Sequence, residues 1–282
     1  MTETPIITQT PEEIRALVLK AHAKGERVAL VPTMGALHEG HLSLIDYAKT
    51  KAERVFASIF VNPTQFGEGE DFEDYPRTWE SDISALASKG VEAVYAPTAG
   101  IMYPNGFATQ INVQGPALEL ETTYRPHFFG GVAIVVAKLL LGVLPDVAVF
   151  GEKDYQQLLV IKQMVRDLQI PCQIEGAPTL REPDGLAMSS RNIYLSETER
   201  PLAAELHKAL QDCAAQIREG HSSDEALSKA IAVLTGHGFK VDYVELRNAE
   251  NLKKITDIAS EPLRLLAAAK LGKPRLIDNI AV

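Results

Sequence analysis

Short apolar runs alternate with amphipathic stretches through the first two-thirds of the chain. Positions 27–31, 54–61, 91–96, 146–150 and 172–177 each hold a compact apolar run, and each predicts a strand. Helical periodicity fills the intervals at 41–51, 78–88, 132–144 and 155–168. A further helix precedes the first strand. Thr10-Pro11-Glu12-Glu13 reads as a capping box with proline at the first helical position, Ile14, Leu17, Val18 and Ala21 share one face, and Gly25 stops it. Apolar strands separated by amphipathic helices predict a parallel sheet with helices on both faces.

The pattern changes after about residue 180. A long helical run covers 197–219 and a second, entered through Ser222 or Ser223, covers 223–236. Strand patterns follow at 240–247, 263–269 and 275–282, which predict a small antiparallel sheet. The fold class expected is therefore α/β, a parallel-sheet domain over 1–178, followed by a smaller C-terminal α+β domain over 179–282. The connection falls in 178–192, rich in Pro, Gly and Ser. A cleft between two such domains is a common ligand site.

Composition narrows the function. The chain has 282 residues, 46% apolar and 23% charged, enough to bury a sizeable core. Lys and Arg number 28 against 37 Asp and Glu, a net charge of −9. That argues against a nucleic-acid partner or an anionic membrane surface. The longest apolar stretch, 132–149, is broken by Lys138, Pro145 and Asp146, so no membrane span is expected. The start of the chain has no basic segment followed by an apolar run, and the cytoplasm is the expected location. Cys172 and Cys213 lie far apart with no Cys/His cluster around them, which reads as two reduced thiols. An anionic substrate would need a local concentration of positive potential.

One segment offers it. Pro32-Thr33-Met34-Gly35-Ala36-Leu37-His38-Glu39-Gly40-His41 runs from the end of the first predicted strand into a helix. Helix N-termini present free N–H groups and partial positive charge, which suit a phosphate. Gly35 and Gly40 let the backbone approach an anion closely. His38 and His41, three apart, can point at one spot near the first turn. A zinc site is the rival reading, but the spacing is one residue short of HExxH and no third ligand is near, so no protein metal site is predicted.

Three further blocks carry polar chemistry near strand ends. Asn62 and Gln65 suit a ligand bearing hydroxyls and a carboxylate, although Asn62-Pro63 is equally good turn chemistry. Gly151-Glu152-Lys153-Asp154 offers Lys153 to a phosphate and Asp154 to ribose hydroxyls, with Gln157 three residues on; an ordinary surface loop is the alternative. Met188-Ser189-Ser190-Arg191 reads as a flexible anion clamp or, taken alone, as a solvated linker.

His38-Glu39-Gly40-His41 resembles the HxGH signature of the nucleotidylyltransferase superfamily. The segments Phe60-Val61-Asn62-Pro63-Thr64-Gln65-Phe66, Glu70-Asp71-Phe72 and Tyr75-Pro76-Arg77-Thr78 narrow it. So do Phe150-Gly151-Glu152-Lys153-Asp154-Tyr155-Gln156-Gln157-Leu158 and 181–192, REPDGLAMSSRN. Together, in this order and across essentially the whole chain, they resemble the pantoate–β-alanine ligase family.

The resemblance implies a Rossmann-like first domain, a C-terminal lid and a homodimer. It implies the ATP-dependent condensation of pantoate with β-alanine through a pantoyl adenylate, with Mg2+ carried mainly by the ATP phosphates. It places Met34, Gly35, Ala36, Leu37, His38, Glu39, Gly40, His41, Gly151, Glu152, Lys153, Asp154, Leu180, Met188, Ser189, Ser190 and Arg191 at ATP. Leu180 would meet the adenine through its backbone. Pro32, Met34, Asn62, Gln65 and Gln157 fall at pantoate or the β-alanine path. The catalytic set would be His38, His41, Lys153, Ser189, Ser190 and Arg191, with His41 the better proton donor.

One stretch departs from the family pattern. Phe128 stands at the usual histidine position with His127 shifted by one, Gly130 replaces a charged residue, and Ile134 replaces a common threonine. That puts substrate fit in question. Other nucleotidyl transfer, tRNA aminoacylation and non-catalytic nucleotide sensing are the rival functions. None accounts for the NPTQF and DYQQL blocks, and an acidic chain of this size leaves little room for an RNA-binding module.

Overall fold

The computed structural model describes residues 4–67 and 72–282. Glu70 and Asp71, singled out above, lie outside the described residues. In chain order the first part comprises β1 (Ile6–Thr8), α1 (Pro11–His22), β2 (Val28–Thr33), α2 (Glu39–Ala48), β3 (Arg54–Ile59), α3 (Trp79–Ser88) and β4 (Ala93–Tyr95). It continues through α4 (Ala99–Met102), α5 (Glu121–Tyr124), α6 (Phe128–Val143), β5 (Val147–Gly151), α7 (Tyr155–Asp167) and β6 (Gln173–Ala177). The second comprises α8 (Glu199–Ala203), α9 (Glu205–Arg218), α10 (Ser223–Gly236), β7 (Lys240–Asn248), β8 (Leu263–Lys270) and β9 (Arg275–Ala281).

The six strands of the first part form one parallel sheet in the order β1-β4-β3-β2-β5-β6. The apolar runs are nearly continuous because both faces are covered. Leu30 and Phe56 pack toward α1, α6 and α7, while Ala29, Val31 and Ala57 pack toward α2 and α3. Thr10 caps α1 as expected, with Glu13 returning the bond to the cap. The sequence reading missed β1. Its three residues sit at the sheet edge against β4, too short to show a period.

Strands β7, β8 and β9 form the expected antiparallel sheet. Strand β8 shows why its pattern is solidly apolar. Leu265, Ala267 and Ala269 face the core built by α9 and α10. Leu266 and Ala268 face the other way, toward Leu120, Leu159 and Tyr243. The period of two thus feeds two cores. The long helix expected over 197–219 is interrupted at Ala204, between α8 and α9. Among the described residues, no helix is long and apolar enough to cross a membrane.

Candidate active site

Strands β2 and β5 are neighbours, yet the chain leaves them in opposite directions across the sheet. Open parallel sheets bind ligands at such a switch point, beyond the carboxyl ends of the strands. A cleft of about 790 Å3 opens there, between the parallel sheet and the C-terminal domain. Of the residues singled out from sequence, Pro32, Met34, His38, Gly40, His41, Asn62, Gln65, Gly151, Lys153, Asp154, Gln157, Leu180, Met188, Ser189, Ser190 and Arg191 line it. Gly35, Ala36, Leu37, Glu39 and Glu152 do not.

The two histidines start α2 by capping each other. His38 is the N-cap, and its Nδ1 accepts from the Gly40 N–H at 3.1 Å. His41 stands at the third helical position, and its Nδ1 accepts from the His38 N–H at 3.3 Å. The ring centroids are 4.1 Å apart. Because each Nδ1 accepts a backbone proton, each neutral ring carries its own proton on Nε2. Burial, with the Lys153 charge adding to it, pushes His38 down to about 4. Burial, then the charges of His38 and Lys153, push His41 down to about 3. Both rings are therefore neutral near pH 7 and present Nε2–H donors.

Gly40 serves this arrangement. A Cβ there would stand 2.7 Å from His38 Cε1 and 2.9 Å from Nδ1. The glycine makes room for the capping ring.

Ala36 and Leu37 are engaged within the protein. Their N–H groups donate to the two carboxylate oxygens of Asp82, at 3.0 and 2.9 Å. Asp82 is 3% exposed and also accepts from Thr78 Oγ1 at 3.1 Å. It holds the turn between β2 and α2, including Gly35 at φ +81° and Ala36 at φ +50°. Sequence reasoning passed over Asp82, since an acid in the first turn of a helix is ordinary dipole chemistry.

Asn62 takes part in the turn chemistry expected of Asn62-Pro63. Its Nδ2 donates to the Gly131 carbonyl at 3.1 Å, and its Oδ1 accepts from Thr64 N at 3.3 Å, Thr64 Oγ1 at 3.0 Å and Tyr103 Oη at 2.7 Å. Asn62 thus shapes the pocket wall, and it also lines the cleft. Gln65 follows on the 3-10 turn Pro63–Gln65, with Nε2 2.8 Å from Met34 Sδ. Thioether sulfur is a weak acceptor, so that amide stays available to a better partner. Gln157 lines the cleft, whereas its neighbour Gln156 is buried and bonded to the Pro116 carbonyl and the Glu121 N–H.

Lys153 sits on the 3-10 turn Glu152–Asp154, between β5 and α7. The Glu152 carboxylate pairs with Arg264, 3.2 Å distant. The clamp segment is a hairpin. Met188 N donates to the Leu180 carbonyl at 3.0 Å, and Arg181 bridges Ala187. Arg181 is fixed by both oxygens of Asp278 at 2.7 and 2.8 Å. Ser189 caps the following turn, its Oγ accepting from Arg191 N at 3.3 Å. The Arg191 guanidinium lies 5.9 Å from the ring of Tyr75, a cleft residue from the Tyr75–Thr78 block that carried the resemblance without an assigned role.

Of the three departures from the family pattern, only Phe128 faces the cleft. Arg125 stacks over its ring at 3.9 Å. His127 is exposed outside the cleft lining, and Gly130 and Ile134 also lie off it. Among the described residues, no group of three or more His, Cys, Asp or Glu is placed to hold a metal ion.

A sequence profile of the family described as pantoate-beta-alanine ligase matches residues 6–281. Pantothenate synthetase of Bradyrhizobium sp. (strain BTAi1) is 52% identical over 283 residues, covering 100% of both chains. That of Rhodopseudomonas palustris (strain HaA2) is 50% identical, again over 100% of both. The crystal structure of pantothenate synthetase from Thermus thermophilus superposes with a TM-score of 0.91 at 45% identity, covering 98% of each chain. A pantoate-beta-alanine ligase from Francisella tularensis, solved with beta-gamma ATP and beta-alanine, superposes at 0.81 with 35% identity, covering 98% of this chain and 97% of that one. Motif order, site geometry and these full-length matches agree: the chain is an enzyme of the pantoate-beta-alanine ligase family.

Proposed function

We propose that the enzyme joins pantoate to β-alanine in two half-reactions at this cleft. A pantoate carboxylate oxygen attacks the α-phosphorus of ATP; the bond to the bridging oxygen breaks and diphosphate leaves. The β-alanine amine then attacks the acyl carbon of the pantoyl adenylate. The C–O bond breaks, AMP departs with that oxygen, and the amine loses a proton to complete the amide. A carboxylate alone gives no amide at neutral pH because oxide is a poor leaving group. Adenylation supplies a good one.

The observation that carries this reading is the convergence of two neutral imidazoles and Lys153 at the β2/β5 switch point, beside Gln65 and Gln157. Nε2–H donors of His38 and His41 aim fixed dipoles at phosphate charge that grows in the transition state. Lys153, Ser189, Ser190 and Arg191 hold the polyphosphate, and Asp154 takes ribose hydroxyls. Gln65 and Gln157 hold pantoate beside Pro32 and Met34. No side-chain nucleophile is needed; positioning and charge stabilisation suffice.

Mg2+ fits as a companion of the phosphates. Of the cleft carboxylates, Glu121, Asp242 and Asp278 are taken by Arg275, Arg181 or His207, while Asp154 and Asp74 are held more loosely, 3.9 Å from Lys153 and 3.7 Å from Lys273. Few protein ligands and several phosphate oxygens is the usual Mg2+ arrangement, and the ion supplies charge neutralisation there. We also place the division between nucleotide domain and lid near residue 178. The enzyme is expected to act as a cytoplasmic homodimer, which sedimentation at equilibrium tests for assembly.

Omission assays test the reaction. AMP should form from ATP only with both pantoate and β-alanine present. ATP–diphosphate exchange should need pantoate alone. AMP formation that ignores pantoate would refute the reading.

A further inference from the structure

The C-terminal sheet reaches into the nucleotide site through one buried side chain. Asn279, on β9, is 3% exposed. Its Nδ2 donates to the carbonyls of Glu152 and Lys153, both at 2.9 Å. Its Oδ1 accepts from Arg264 Nε at 2.7 Å. Two carbonyls on one side and a guanidinium on the other admit only this orientation of the amide. Arg264 is itself pinned. It stacks on Tyr155 at 3.9 Å and pairs with Glu152 at 3.2 Å. The turn that carries Lys153 is thus gripped at two successive carbonyls by a side chain from the other domain.

We infer that Asn279 is a positioning residue for the Lys153 ammonium, tying the phosphate-binding lysine to the stance of the C-terminal sheet. Asn279 lines the cleft, but its side-chain polar atoms are all bonded to protein. Its effect on ATP must therefore pass through the turn it holds. Pantoate, held by Gln65 and Gln157, should not sense it. The inference rests on the assignment of Lys153 to ATP phosphate.

Asn279→Asp isolates the contact, because it is isosteric but turns two donors into an acceptor facing two carbonyls. Equilibrium ATP binding is measured on the full-length chain without pantoate, and pantoate binding separately. Expected is a roughly tenfold loss of ATP affinity, matching about one lost hydrogen bond, with pantoate affinity within about twofold. In a Lys153→Met background the same substitution should weaken ATP no further. An Asn279→Asp protein that melts cooperatively and binds ATP as tightly as wild type overturns the inference. So does an equal loss in the Lys153→Met background. If Asn279→Asp fails to fold, Asn279→Ser decides by the same criteria, since it adds no charge and gives up the paired amide bonds to the Glu152 and Lys153 carbonyls. Wild-type protein that binds no ATP would instead refute the functional reading itself.

Discussion

Gly40 lies under the His38 imidazole so closely that an added methyl would stand 2.7 Å from its Cε1. The obstacle is a movable side chain, so the expected response of Gly40→Ala is displacement of the ring. The chain should fold, but His38 should lose its bond to the residue-40 N–H and its aim at the phosphates. Turnover should fall about 10²-fold, comparable to losing one transition-state donor. Steady-state kinetics beside a melting curve checks it; undiminished turnover would mean the cap geometry is irrelevant.

Adjacent glycines of α6 should behave oppositely. At Gly131 a Cβ would overlap the Thr64 carbonyl, which is backbone, whereas at Gly130 the nearest atom is Asn112 Oδ1 at 3.5 Å. Gly131→Ala should cost at least about 2 kcal/mol and raise the pantoate KM, because it pushes the turn that carries Gln65. Gly130→Ala should stay within about 0.5 kcal/mol of wild type. Urea unfolding of the pair separates them. The absent family charge at position 130 therefore has no direct consequence for the cleft.

Asp82→Asn tests the brace beneath the histidine loop. An amide has one acceptor oxygen where the carboxylate offers two to Ala36 and Leu37. One buried N–H would then face an NH2. The expected loss is about 1–3 kcal/mol of stability, with reduced turnover as the start of α2 drifts. Denaturant unfolding and turnover on one preparation measure both.

Burial keeps His38 and His41 unprotonated down to about 4 and about 3, against 6.5 ordinarily. Nitrogen–proton correlation spectra of the free enzyme should show two imidazoles in the neutral Nε2–H form at pH 7, with no titration above about pH 5. The unfolded chain takes up those protons near pH 6.5 and the folded chain does not. These two groups therefore lower stability as pH falls from about 7 toward 4, and add no pH dependence above 7. A histidine at this site that titrates near 6.5 would contradict the geometry.

Much of this was legible in the chain. The parallel sheet follows from apolar runs such as 54–61, buried on both faces. The candidate site follows from HEGH, EKD and SSR, whose residues other than Glu39 and Glu152 line one cleft. What escaped depends on contacts distant in sequence. Asp82 reaches back 46 residues to Ala36, and Asn279 reaches back 126 to Lys153. An isolated Asp or Asn carries no sign of such a partner. Asn62 was ambiguous for a local reason: the same carboxamide suits a turn and a ligand, and its partners Gly131 and Tyr103 are distant in sequence.

The acidic chain and its anionic substrates are reconciled within the cleft. Two helix-start donors, Lys153 and the clamp arginine concentrate positive potential there, while the net charge of −9 is spread over the whole chain.

The central claim is attack by the pantoate carboxylate on the α-phosphorus, and oxygen labelling tests it most directly. With pantoate carrying 18O in both carboxylate positions, the AMP released should carry one 18O and the pantothenate should keep the other. Unlabelled AMP, or label appearing in inorganic phosphate with ADP as co-product, would contradict the account.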